Sequence, residues 1–153
     1  MKIATLALII QNGHVLLGRK KKGEIGTNTL NGPGGKLEPG ESLVDCVVRE
    51  TNEELGIKLV PEQLDEVAVI TFYAAGEPDF KVHVYRTDYF EGTLAETADM
   101  IPAWYPCDDL PLDQMLESDR MWFGKAIAGE KFRADVYYLA RAKDFQRIEF
   151  ADY

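Results

Sequence analysis

A chain of 153 residues with 46% hydrophobic and 28% charged residues has the length of one domain, and it can bury roughly 70% of its unfolded surface. A net charge of -9, with 17 scattered lysines and arginines, argues against a nucleic-acid duplex as partner, because a duplex binder needs a basic face. The longest apolar run, residues 6–10, is too short to span a membrane, and the two cysteines, Cys46 and Cys107, form no disulfide framework, so a reducing cytoplasm is the expected setting.

In chain order, MKIATLALII has one basic residue and no small-residue cleavage site, and it reads as a strand and not a signal peptide. Apolar runs at 2–10 and 14–19 are joined across Asn12-Gly13, a hairpin signal. Residues 20–40, basic at first and then rich in glycine, read as a long loop. A helix follows from Ser42 to Gly56. Residues 66–74 and 80–90 alternate and are rich in valine and aromatics, which predicts a second hairpin about Gly76-Glu77-Pro78-Asp79. Residues 100–105 predict a short strand. Residues 112–128 have helical spacing, with Met115, Leu116, Trp122, Phe123 and Ile127 apolar and Gly129 as a stop. Closing strands are expected at 136–139 and 147–150. With no linker or repeat, the sum is one domain over 1–153, of α/β or α+β class, with a mixed sheet and two main helices.

The helix at 42–56 carries the chemistry. Ser42 suits its N-cap and Gly56 its end. Val44, Val47, Val48, Thr51 and Leu55 make one buried stripe. Glu50, Glu53 and Glu54 share a different face, where like charges cost a helix roughly 0.2 to 0.5 kcal/mol per pair and oppose its dipole. One reading is a solvated acidic face with Arg49 and Lys58 as partners. The other starts from the Pro33-Gly34-Gly35 loop, which exposes backbone carbonyls. Carboxylates beside such a carbonyl make a hard-oxygen site suited to Mg²⁺.

Gly35, Glu41, Arg49, Glu50, Thr51, Glu53, Glu54, Gly56 and Ile57 resemble the signature of the Nudix hydrolases, Gly-x5-Glu-x7-Arg-Glu-U-x-Glu-Glu-x-Gly-U with U aliphatic. Eight of the nine positions agree, and Thr51 departs on the buried stripe. Beyond this box the chain is similar to the MutT-related members that hydrolyse oxidised purine nucleoside triphosphates such as 8-oxo-dGTP. The resemblance implies a Nudix α/β/α sandwich, a mixed sheet between helices. It implies an enzyme releasing a nucleoside monophosphate and pyrophosphate, dependent on Mg²⁺ with Mn²⁺ as substitute, and monomeric.

Carried over position by position, Glu50, Glu53, Glu54, the carbonyl of Gly35 and Asp99 match metal ligands, and the three glutamates also divide the catalytic base role. Lys20 matches a lysine at the phosphates. Gly34, Gly35 and Lys36 belong to a run placed against the substrate. Thr5 and Asn31 match the nucleoside pocket, with Asn31 facing the base; Phe72 matches an aromatic wall and Asp119 a reader of the purine edge. Four substrate-side positions depart. Ser118 stands for the second acidic reader and Leu116 for a tryptophan that stacks on the base. Ala74 stands for a second aromatic, and Glu24 for a phenylalanine. Alternatives are a general nucleoside triphosphate pyrophosphatase, a hydrolase of other diphosphate-linked nucleosides, and a nucleotide sensor without catalysis. Arg49 is expected to orient Glu41 or Glu53. His83 is expected to be structural, His14 exposed, Cys46 a small filler, and Trp122 and Phe123 core.

Overall fold

A computed structural model describes residues 1–21 and 27–153, so Lys22 and Glu24 lie outside the described residues. Its elements are β1 (Lys2–Gln11), β2 (His14–Lys20), β3 (Leu30–Asn31), β4 (Gly34–Lys36), α1 (Leu43–Leu55), β5 (Lys58–Leu59), β6 (Asp65–Ala74), β7 (Glu77–Thr87), β8 (Phe90–Glu91), β9 (Met100–Pro106), α2 (Asp119–Ile127), β10 (Phe132–Ala140) and β11 (Lys143–Asp152). Single 3-10 turns cover Pro61–Gln63 and Leu112–Gln114.

One mixed sheet runs β11-β10-β6-β7-β1-β2-β3, with β4 also on β1 and β9 on β2; β5 and β8 pair separately. β1 is parallel to β7, and β6 to β10; the other pairs are antiparallel. Along β1, Leu6 and Leu8 join a core with Trp122, Phe123, Ala126 and Ile127 of α2. The alternate residues Ala7 and Ile9 join Val47 and Leu55 of α1. A strand covered on both faces needs an unbroken apolar run, which is why residues 6–10 do not alternate. The sheet between two helices is the expected α/β/α sandwich.

Local chemistry sets the ends of α1. The Ser42 hydroxyl accepts from Asp45 N–H at 3.1 Å, and Gly56, at φ 73°, closes the helix by donating to Asn52 O at 2.9 Å. A side chain resists that left-handed conformation. Gly56→Ala is expected to lower stability by about 1 kcal/mol, read as a shifted denaturant midpoint at unchanged slope. Asn12 and Gly13, at φ 51° and 73°, make the first hairpin turn as expected.

Four expectations change. The long loop contains β3 and β4, whose pairing with β2 and β1 its glycines conceal. The second hairpin turns at Ala75-Gly76, φ 52° and 81°, two residues earlier than its Gly-Pro signals suggest, and Pro78 falls near the start of β7, where a missing N–H is tolerated. Residues 112–128 are not one helix: Met115 is extended, φ -111° and ψ 165°, and α2 begins only at Asp119. The apolar spacing there reflects Met115 packing into the same core from a non-helical segment. The closing strands are longer than expected because the edge strand β11 is largely exposed and carries no apolar pattern over most of its length.

Candidate active site

A cavity of about 580 Å³ opens on the α2-side face of the sheet, floored by Leu6, Phe72, Phe80, Val82 and Tyr138. The strand order gives it two sides. Toward β4 and α1 stand Lys20, Gly34, Gly35, Lys36, Glu50, Glu54 and Asp99; toward β6, β10 and α2 stand Leu116, Asp119, Trp122 and Tyr138.

The α1 side is built from backbone donors and carboxylates. Glu54, 6% exposed, accepts the Gly34 N–H at 2.7 Å. Burial raises its pKa to about 7; the Gly34 bond and Lys20 oppose this, while Glu50 and Asp99 add to it. Burial also raises Glu50, against the pull of Arg49. Thr97 fixes the Asp99 loop on the end of α1, its hydroxyl donating to Glu54 O at 2.8 Å and accepting from Asp99 N–H at 3.1 Å. A Cβ on Gly35 would sit 2.4 Å from the Glu50 carboxyl carbon, so only glycine lets that carboxylate lie against the loop.

Arg49 organises this face. Its guanidinium holds Glu41 in two bonds, 2.7 and 2.9 Å, and donates to Glu50 at 2.9 Å and to Lys36 O at 3.1 Å. It draws the Glu41 pKa down to about 2. This is the orienting role expected of it. Glu53 is different: 52% exposed, it lies 3.4 Å from Arg49 and off the cavity wall. Cys46 is fully buried and bonds Thr5 Oγ1 at 3.3 Å, a filler as expected.

Among the described residues, no three His, Cys, Asp or Glu side chains converge as a ready-made metal cluster. The donor chemistry nevertheless fits a divalent cation. Glu54 is buried among Glu50 and Asp99, whose charges repel its own, and a cation relieves that repulsion.

The α2 side centres on Asp119. It is 1% exposed; Oδ1 accepts the Trp122 N–H at 3.0 Å, and Oδ2 has no hydrogen-bond partner among the described residues. Burial raises its pKa to about 7, with Trp122 opposing. Below that pH the carboxyl is neutral and can donate as well as accept. Asn31 lines the cavity too, its Oδ1 held by Gly32 N–H at 2.8 Å, which fixes the orientation of the amide. Phe72 and Leu116 line it as well. Thr5 lines it, with its hydroxyl hydrogen-bonded to the Cys46 thiol. Ser118 does not line it: fully buried, it accepts from the Tyr138 hydroxyl at 2.9 Å and donates its N–H to the same oxygen at 3.1 Å. His83 binds Glu66 at 3.1 Å across β6 and β7, and His14 is exposed, both as expected.

Sequence reasoning missed Trp122, Tyr138, Asp79, Phe80 and Arg141 on the wall. Trp122 is core as expected, yet it also orients Asp119. Its place three residues beyond Asp119 on one helix face was a usable signal. Tyr138 and Arg141 had none, since only the parallel pairing of β10 with β6, which sets Tyr138 opposite Ala74, and the bonds of Arg141 to Asp79 on β7 bring them to this wall.

Residues 1–125 match the NUDIX domain. The chain is 38% identical over 132 residues to the oxidized purine nucleoside triphosphate hydrolase of Danio rerio, spanning 86% of this chain and 83% of that protein. It is 36% identical over 132 residues to the protein of the same name from Mus musculus, with the same coverage of 86% and 83%. Among solved structures, a MutT protein from Bacillus halodurans superposes with a TM-score of 0.81 at 20% identity, over 98% of this chain and 97% of its own, a likeness of fold. A MutT NUDIX hydrolase from Burkholderia pseudomallei gives 0.65 at 29% identity, over 72% of this chain and 86% of its own.

Proposed function

The chain belongs to the Nudix hydrolase family, and on that premise we propose that it converts oxidised purine nucleoside triphosphates such as 8-oxo-dGTP to nucleoside monophosphate and pyrophosphate, as a monomer that cleanses the cytoplasmic nucleotide pool. One observation carries this reading: a single cavity joins the half-buried Glu50 and buried Glu54 of α1 to the buried carboxyl of Asp119, whose Oδ2 lacks a hydrogen-bond partner among the described residues.

In this reading Glu50, Glu53, Glu54, Asp99 and the Gly35 carbonyl would hold Mg²⁺ or Mn²⁺, which would supply neutralisation of phosphate charge and activation of a water. Lys20 and Lys36 bring further positive charge to the phosphates, and Gly34 and Gly35 let them approach the backbone. Arg49 keeps Glu50 and Glu41 in place. One of the three glutamates takes the proton of the attacking water. At the other side, Asn31 and Asp119 read the base edge against Phe72. Ser118 and Leu116 leave one carboxyl and one stacking plane fewer, so purines are preferred with loose discrimination.

The test is kcat/KM for 8-oxo-dGTP, dGTP, 2-oxo-dATP and dCTP with Mg²⁺, in the parent and in Asn31→Ala. An unpaired buried reader costs roughly 1 to 3 kcal/mol. The variant is therefore expected to compress the ratio between good and poor bases by about tenfold, more than it lowers the best rate. Equal efficiency on dCTP in the parent, or an unchanged ratio in the variant, sinks purine reading and leaves the metal site untouched.

A further inference from the structure

Arg141 lies between β10 and β11, on the same cavity as the base-reading residues. Its Nε donates to Asp79 Oδ2 at 2.7 Å and its Nη2 to Asp79 Oδ1 at 2.5 Å. The guanidinium also lies over the Phe80 ring, 5.3 Å from its centroid, with Phe80 itself 7% exposed. A simple surface ion pair leaves a long side chain free to swing. Two parallel bonds and an aromatic support set the guanidinium as a plane of fixed orientation.

That plane stands away from the phosphate side. Lys20 and Lys36 sit on β2 and β4, beyond β1, whereas Asp79, Phe80 and Arg141 close the cavity where β6, β7 and β10 meet. Two positions of this wall are aliphatic, Leu116 and Ala74, so flat surface comes from Phe72, Trp122 and Tyr138 and, at the Asp79 end, from the Arg141 guanidinium. A guanidinium stacks on a π-system as an aromatic ring does and adds attraction for an electron-rich one.

We propose that Arg141, held by Asp79 and Phe80, is a substrate-binding and specificity-determining residue whose outer face stacks on the purine ring. The proposal rests on the purine nucleotide reading above. Phe80 and Asp79 set where the guanidinium lies, and the base stacks against its plane. A purine offers two fused rings to that plane and a pyrimidine one. The competing role is a staple between β7 and the 141–142 turn, with no substrate contact.

The experiment measures Kd for 8-oxo-dGMP and dCMP by calorimetry, KM and kcat for 8-oxo-dGTP, and Tm, in the parent, Arg141→Ala, Arg141→Lys and Asp79→Asn. Arg141→Ala is expected to raise Kd and KM for the oxidised purine about tenfold, to change dCMP binding about threefold or less, and to leave kcat within a factor of two. Arg141→Lys keeps the charge and the ion pair but loses the plane, so it is expected to bind like Arg141→Ala while keeping the parent Tm. Asp79→Asn is expected to fall between. Parent-like binding by Arg141→Lys, or equal losses for both bases, overturns the proposal in favour of the staple. A parent that turns over no purine triphosphate overturns the underlying function instead, and this inference with it.

Discussion

Replacing Glu54 by glutamine is expected to lower kcat at least about 100-fold while the protein stays folded. Glu54 is 6% exposed and accepts the Gly34 N–H at 2.7 Å. Glutamine keeps the shape and an amide oxygen for that bond, so the join between α1 and the glycine loop survives. What disappears is a negative charge buried between Glu50 and Asp99, where burial and their repulsion push its pKa to about 7. Removing a strained charge should hold or raise Tm, and a cation bound there loses a ligand. Falling turnover with a steady Tm thus separates a functional group from a structural one. Glu53→Gln carries the same expectation, although Glu53 is 52% exposed and beside Arg49. Near-parent kcat in both variants would remove the carboxylates of α1 from the chemistry.

Chelation should abolish turnover altogether, and Mg²⁺ or Mn²⁺ should restore it. A chain of net charge -9 meeting a substrate of about -4 has a strong electrostatic barrier to association, and Lys20 and Lys36 are the only lysines on the described cavity wall. A ligand that binds only the folded state also raises Tm with its concentration. Mg²⁺ alone should therefore stabilise the protein against heat, and Glu54→Gln should blunt that gain. Full activity in excess chelator would exclude the metal-dependent reading, whatever the substrate.

The two sides of the cavity differed in how far they could be read from the chain. Glu50 and Glu54 lie on one turn of a helix whose cap at Ser42 and stop at Gly56 are local, so spacing sufficed to place them together. Arg49 could be read as their organiser for the same reason, since its partners Glu41 and Glu50 are near neighbours in sequence. The helix expected at 112–128 failed because apolar spacing does not tell a helix from an extended segment whose side chains reach the same core. Asp119 was legible as a type of residue. That it is buried, bonded to Trp122 and short of a second partner was not.

The sequence by itself therefore determined the class of fold, the α1 carboxylates, the glycine loop before them and the Asn12-Gly13 turn. Each depends on interactions within a few residues or on a pattern along one element. Only the tertiary structure decided that Ser118 turns to Tyr138 and away from the cavity, that Thr5 spends its hydroxyl on Cys46, that Glu53 stands outside while Glu54 is enclosed, and that Arg141 meets Asp79. These depend on burial and on pairings between β1 and β7 or β6 and β10, strands far apart in the chain. Burial sets the charge state of a carboxyl and the partner of a hydroxyl, and it is a property of the whole packed sheet that no spacing of neighbouring residues encodes.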